Sequence, residues 1–303
     1  NQKNMCGIVG LYLKNAELQS QLGSMFKPML VEMSSRGPDS AGVAIYRNPV
    51  ESSQIKFSLA HSNPGFLWET LGTNLSASLN CEVSTSTVAS HCILITDAAE
   101  TEVISWLQTN YPEVRIVGSG KSIEIFKEVG PPEMVYEQFD LEKASGTHMI
   151  GHTRMATESA VTTAGSHPFA TGADLCLVHN GSLSNHNLLR VKLEHEGITF
   201  QTENDTEVAA AYMTWKIRSG ATLRQALEDG INELDGFYTF CIGTQDGFAV
   251  VRDPIACKHA VMAETDDWVA MATEFRAIAH LPGSDQAKIW EPEPSTIYIW
   301  GEQ

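Results

Sequence analysis

The residue whose chemistry depends most on its surroundings is Cys6, in the run Met5-Cys6-Gly7-Ile8-Val9-Gly10. A thiol is a strong nucleophile and gains most from a base beside it. Were the chain to begin at Cys6, its own α-amine, with an unperturbed pKa of roughly 7.7, would be a base tuned to working pH. Taken alone, Cys6 equally fits a small buried hydrophobe at the start of a strand. His179-Asn180-Gly181 is ambiguous in the same way. An Asn-Gly pair after a strand makes a tight turn, yet a side-chain amide next to a backbone N–H also stabilises a developing oxyanion. In Arg36-Gly37-Pro38-Asp39-Ser40, turn chemistry leads into a strand, and Arg36 and Asp39 either pin the turn through an ion pair or meet a ligand. Asp205, in Asn204-Asp205-Thr206-Glu207, reads first as a helix N-cap.

The ten histidines include His152, His167, His179, His186 and His195, but no H-E-x-x-H or comparable ligand spacing. They read as hydrogen-bonded strand-end and surface residues, with no metal site. Six scattered cysteines form no C-x-x-C pair, which argues against zinc, an iron–sulfur cluster in this chain or a disulfide framework. Gly118-Ser119-Gly120-Lys121-Ser122 invites a phosphate-loop reading, but that spacing needs a glycine where Arg115 stands, so it is a glycine turn.

At 303 residues, 43% hydrophobic and 19% charged, the chain has ample length for a core. No apolar run approaches a membrane span and no basic-then-apolar signal opens the chain, so a cytoplasmic setting without membrane contact is expected. A net charge of −17 opposes nucleic-acid binding; it serves solubility or attracts a basic partner.

The elements that must position these residues follow from periodicity. Cys6 to Lys14 reads as a strand and Glu17 to Met33 as an amphipathic helix that Pro28 can kink. From about 51 to 146 the pattern is less regular. Within it, His91–Asp97, Ala99–Tyr111 and Val114–Gly118 resemble a small βαβ unit, and Pro131-Pro132 makes a rigid, extended stop. Met149 to Ala156 and Leu175 to Val178 are strands. Ser184 caps a helix from about 185 to 196, Asp205 a second through Arg218, and Thr222 a third. Strands then crowd from Phe237 to Thr273, a short helix covers 275–281, and final strands lie near 288–290 and 296–300. Strand runs alternating with helix pairs predict sheets flanked by helices.

Taken in order, Cys-Gly-Ile-Val-Gly, Arg-Gly-Pro-Asp-Ser-Ala-Gly, His-Thr-Arg-Met-Ala-Thr, His-Asn-Gly, Asp-Thr-Glu, Asp235-Gly236-Phe237-Tyr238 and Arg252-Asp253-Pro254 resemble the class II glutamine amidotransferases. These are N-terminal-nucleophile hydrolases. The resemblance implies an α+β fold, a four-layer αββα sandwich spanning 6–303. It implies a small α/β subdomain inserted at about 51–146 and a leader or propeptide at 1–5. It makes Cys6 the nucleophile that forms a glutamyl thioester, and Asn180 with Gly181 the oxyanion hole. Arg154 would grip the substrate α-carboxylate and Asp205 its α-ammonium. Thr157 and His167 match pocket-lining positions, and Arg36 a residue beside the nucleophile. Met155 stands where the family often has an aromatic residue, and Glu158 where sugar-making members carry histidine.

Fused relatives carry a synthase after this domain, whereas this sequence ends about where the amidotransferase ends. It therefore most resembles the stand-alone amidotransferase subunit of split glutamate synthase or N-methylglutamate synthase complexes. That implies a γ-amide of glutamine or a γ-glutamyl amide as substrate and ammonia or methylamine as product. The cofactors, FMN and an iron–sulfur cluster, would belong to partner subunits and not to this chain. The competing expectations are a non-catalytic structural or regulatory subunit that keeps residues 1–5, and an amidase of the same fold acting on other amides. Arg154 and Asp205, which together select an amino-acid head group, oppose the amidase.

Overall fold

The strand Gly7–Leu13 shows how this sequence builds two facing sheets. Val9, Leu11 and Leu13 pack on one side against the helix Leu22–Glu32, while Ile8 faces the opposite way into a second apolar layer. A strand buried on both faces needs apolar residues in both phases of its two-residue period. The computed structural model describes residues 6–155 and 161–301.

The larger sheet has seven strands, in the order Lys288–Trp290, Val261–Glu264, Trp268–Ala272, Gly7–Leu13, His148–Arg154, Ser40–Tyr46 and Ile123–Val129. The second has five: Ile297–Trp300, Phe248–Arg252, Gly236–Gly243, Leu175–Leu183 and Phe169–Gly172. Ile8, Ile150, Val269 and Met271 from the first sheet meet Val178, Cys241, Phe248 and Val250 from the second to form the central layer. Outside the larger sheet lie Leu22–Glu32, Pro132–Gln138 and Phe275–Ile278, anchored by Phe26, Met29, Tyr136 and Ile278. Truncating a buried phenylalanine such as Phe26 typically costs about 3–5 kcal/mol. Outside the smaller sheet lie His186–His195, Asp205–Arg218 and Leu223–Glu233. The run Ala209-Ala210-Ala211 lets the middle helix sit close to both its sheet and its neighbours, so it is buried nearly all round. The result is the expected α+β, four-layer αββα sandwich. Among the described residues no helix is long and apolar enough to cross a membrane.

A third, four-stranded sheet stands apart, ordered Val83–Val88, His91–Thr96, Ile55–Ala60 and Arg115–Gly120, with every neighbouring pair antiparallel. Helices Trp68–Leu79 and Glu100–Asn110 close its own core around Phe57, Trp68, Leu94 and Leu107. The anticipated βαβ is present in split form, because Ile55–Ala60 runs between its two strands. This sheet spans 55–120, narrower than the 51–146 span read from sequence. Ile123–Val129 pairs with Ser40–Tyr46 in the main sheet, and Pro132–Gln138 covers that sheet's outer face.

The stretch read as a glycine turn at 118–122 is strand as far as Gly120, and the third sheet joins the sandwich where Lys121 and Ser122 bend into Ile123–Val129. The backbone N–H groups of Lys121, Ser122 and Ile123 donate to the buried Asp174 carboxylate at 2.6, 2.8 and 3.0 Å. The loop thus spends its anion-binding amides on a carboxylate of its own chain. Nearby, Glu124 accepts from Lys56 Nζ at 2.9 Å and Arg47 Nε at 2.6 Å, tying both bodies together.

Three local expectations change. The helix cap is Asn204, whose Oδ1 accepts the Thr206 N–H at 2.9 Å, and Asp205 is the first helical residue with its carboxylate left for other contacts. Ser184 does not cap its helix; its hydroxyl donates to Asp235 Oδ2 at 2.7 Å. Pro132 opens a helix instead of extending a stop, since the first helical position needs no N–H donor.

Candidate active site

Cys6 precedes the first strand of the larger sheet, and Gly7 pairs with Thr153, which puts Arg154 at the same end. The strand Leu175–Leu183 of the second sheet carries Asn180 and Gly181 to that end as well, running two residues beyond the tight turn its sequence suggested. Between them opens a cleft of about 770 Å³, lined by Cys6, Arg154, His167, Asn180, Gly181 and Asp205 among others. That is within the usual size of a small-molecule site.

Two glycines are required here. Gly181 has φ +148°, and a Cβ on it would lie 1.9 Å from the Phe237 carbonyl oxygen and 2.9 Å from His179 Nε2. Gly37 lets the Arg36–Asp39 turn cross the backbone of Arg154, where a Cβ would sit 2.7 Å from the Arg154 nitrogen. Its partner contact is Asp39 N–H donating to the Arg154 carbonyl at 3.1 Å.

Asn180 is 3% exposed, and its Nδ2 has no hydrogen-bond partner among the described residues. A buried amide donor without an acceptor costs free energy unless a ligand supplies one. His179 Nε2 is in the same condition, while its Nδ1 lies 3.1 Å from Thr206 Oγ1 and 3.7 Å from Asp205 Oδ1. Thr206 Oγ1 also reaches His167 Nε2 at 3.3 Å, and the His167 ring stacks on His152 at 3.8 Å. Burial holds both stacked rings neutral, His152 at about 3 and His167 well below its ordinary value.

The Asn204–Glu207 segment divides its work residue by residue. Glu207 accepts from the N–H groups of Gln201 and Thr202, shaping the loop that walls the cleft. Asp205 accepts the Leu183 N–H at 2.9 Å. Burial pushes its carboxyl up, but His179 and the Leu183 amide outweigh that and hold it at about 2, so it is an anion at working pH. Arg154 Nη1 donates to the Gly165 carbonyl at 3.0 Å. A fixed cation and a fixed anion therefore share the cleft with the thiol. Burial pushes the Cys6 thiol above its ordinary value, opposed by a hydrogen bond from the Met155 backbone and by the charges of Arg154 and Lys258.

Cys6, Arg154, His167, Asn180, Gly181 and Asp205 come together as read from sequence. Arg36 does not line the cleft: its Nε donates to the Cys6 carbonyl at 3.4 Å and its Nη1 pairs with Glu274. It holds the Cys6 backbone from behind. Thr157 and Glu158 lie outside the described residues. Lys258 and Arg115 line the cleft but were not singled out. Lys258 carried a signal, since it follows Arg252-Asp253-Pro254: the Asp253 carboxylate accepts the Tyr238, Ile255 and Ala256 N–H groups, and Arg252 Nη2 holds the Lys258 carbonyl at 2.7 Å. Arg115 arrives from the third sheet and had none. Among the described residues no three His, Cys, Asp or Glu side chains converge to hold a metal ion.

Comparison with known proteins agrees with this geometry. A family model described as a glutamine amidotransferase domain matches residues 152–280. The chain is 52% identical over 300 residues to the glutamine amidotransferase-like protein GlxB of Rhizobium meliloti (strain 1021), covering 99% of each. It is 28% identical to the glutamine–fructose-6-phosphate aminotransferase (isomerizing) of Vibrio vulnificus (strain YJ016), over 63% of this chain and 32% of that one. Among solved structures, the allosteric regulatory enzyme of purine biosynthesis superposes with a TM-score of 0.61 at 21% identity, over 97% of this chain and 46% of that one. At that identity the likeness concerns the fold, which is that of the N-terminal-nucleophile amidotransferases. The chain belongs to the glutamine amidotransferase family.

Proposed function

We propose that this protein hydrolyses the γ-amide of glutamine or of a γ-glutamyl amide, with Cys6 as nucleophile. One observation carries the reading: the thiol shares a single cleft with an orphaned amide donor at Asn180, a cation at Arg154 and a carboxylate held ionised at Asp205. Arg154 receives the substrate α-carboxylate through its planar fork, and Asp205 the α-ammonium. Cys6 sulfur adds to the γ-carbonyl carbon. The resulting oxyanion is met by Asn180 Nδ2–H and the Gly181 N–H, which bind charge present only in the tetrahedral intermediate. The amine leaves with a proton, and water then cleaves the thioester to release glutamate. The base is the Cys6 α-amine, freed by removal of residues 1–5.

The finer reading is delivery of ammonia or methylamine to a glutamate synthase-like partner in the cytoplasm, with FMN and an iron–sulfur cluster in that partner. It rests on the resemblance to the amidotransferase subunits of split synthases; the acidic charge would suit such a partner but does not point to one.

The test is treatment of natively expressed protein with a diazo-ketone analogue of glutamine, followed by mass mapping of the N-terminal peptide. An adduct on a Cys6 that begins the chain is expected. An unmodified peptide still running from Met5 into Cys6 would overturn the reading and favour the non-catalytic subunit. A second expectation concerns the oxyanion: Asn180→Ala should lower kcat by about 10²–10³ with little change in KM, as for loss of one oxyanion donor elsewhere. A variant whose KM rises while kcat holds would place Asn180 in substrate binding instead.

A further inference from the structure

Lys127 is a lysine in an unusual place. It lies on Ile123–Val129, at the edge of the larger sheet, and is 3% exposed. Its ammonium donates to the carbonyl oxygens of Ser166 at 2.8 Å, Pro168 at 3.2 Å and Ala164 at 3.4 Å, and stands 4.5 Å from the centre of the Phe169 ring. No carboxylate forms an ion pair with it among the described residues. The segment it holds lies flat on the sheet. Gly42, the residue paired with Lys127, has no room for a Cβ because the His167 carbonyl oxygen would be 2.0 Å away.

That segment is part of the cleft. Ala164, Gly165 and His167 line it, and the Gly165 carbonyl holds Arg154 Nη1. Three inward-facing carbonyls on one short stretch repel one another unless a cation sits among them, and a buried cation without an anion is tolerated only with such a cage.

We propose that Lys127 is the positioning residue of the substrate-carboxylate clamp: its ammonium gathers the carbonyls of Ala164, Ser166 and Pro168 and so fixes the turn whose Gly165 carbonyl aims Arg154. This rests on the glutaminase reading above for the identity of the carboxylate, not for the clamp itself. The groups facing Lys127 are Glu207 from the helix Asp205–Arg218, Arg115 and His91 from the third sheet, and His167 from the clamped turn. Burial pushes its ammonium down to about 7, against the pull of Glu207 and with the push of Arg115. Once neutral, the amine has two N–H donors for three carbonyls, and its lone pair faces an acceptor. The clamp therefore loosens as pH rises through about 7, and KM for glutamine rises with it. Stability moves the opposite way: the unfolded lysine keeps its proton up to about 10.4, so folding becomes more favourable from pH 7 upward.

The experiment is a pH series from 6 to 9 on the processed full chain and on Lys127→Met, an apolar residue of similar length beside Phe169. The wild type is expected to show KM rising several-fold above pH 7. The variant should have KM raised about tenfold at pH 6.5, flat with pH, with kcat within about threefold. The Cys6 α-amine also titrates near this range, but it acts on kcat, so only a KM dependence that disappears in Lys127→Met belongs to the clamp. A wild-type KM that is flat with pH, or a Lys127→Met KM equal to that of wild type at pH 6.5, would overturn the proposal; the first of these needs no variant to fold. Should the wild type hydrolyse neither glutamine nor γ-glutamyl-methylamide, the glutaminase reading fails by itself. Calorimetric binding of L-glutamate over the same pH series then decides the clamp, with the same rise in Kd expected and a flat Kd refuting it.

Discussion

Cys6→Ala is expected to reduce glutamine hydrolysis by about 10⁴-fold or more while L-glutamate binds as before. Losing the group that forms the covalent intermediate removes the whole two-step route and leaves only what positioning and the oxyanion donors supply. The other cysteines provide an internal control. Burial pushes Cys92 and Cys176 up to about 12 and Cys241 well above its ordinary value, with no cation beside them among the described residues to oppose it, so these thiols stay protonated and inert. Cys6 is also pushed up by burial, yet it faces Arg154 and Lys258 and lines the cleft. A thiol held protonated at pH 7 needs a base in the reacting complex, the part that the proposed mechanism gives to the Cys6 α-amine. Alanine replacement of each cysteine in turn, assayed for glutamate release, should single out Cys6. Full turnover by the Cys6→Ala protein would end the thioester mechanism.

What could be read in advance divides by the range of the interaction. Strand and helix order in the sandwich was legible because both follow from short-period apolar patterns, and Gly7–Leu13 carries both phases in seven residues. The assignment of caps was not, because Asn204 and Asp205 are adjacent residues of equal capping quality. Only the fold shows that Leu183 and His179 claim the Asp205 carboxylate. The same limit applies to Arg36. Its place beside Cys6 was anticipated, but its attachment to Glu274 joins residues far apart in sequence. Lys127 fell in a stretch that looked irregular, because Ile123–Val129 crosses back into the main sheet after the third sheet is complete, whereas Arg115 lay on a legible strand whose approach to the cleft only the fold shows. No local pattern announces that return.

The second large effect is expected in acid. His91 and His152 are held at about 3 and His148 at about 4, in each case by burial first. His148 is buried, with its Nε2 donating to the Thr244 carbonyl at 2.8 Å and Thr147 Oγ1 2.7 Å from its Nδ1, and it is burial that disfavours the second ring proton. Each of these groups has a folded pKa below its unfolded value of about 6.5, so the unfolded state binds the proton first. Their contribution is whole above pH 6.5 and is lost as pH falls toward 4 and 3. Between pH 7 and pH 5 the loss is about 2 kcal/mol per histidine, against a typical total of about 5–15 kcal/mol. Urea unfolding at the two pH values measures it, and His148→Gln, which keeps a donor for the Thr244 carbonyl, should shrink the difference by about 2 kcal/mol. An unchanged difference in that variant would mean His148 is already charged in the native state. The active site should respond at the same pH. The His152 ring stacks on His167, which already feels the charges of Arg154 and Lys127, so a proton there sets like charges together at the cleft. Acid inactivation and acid unfolding then share one cause, the refusal of buried imidazoles to take a proton without breaking the layer that holds them.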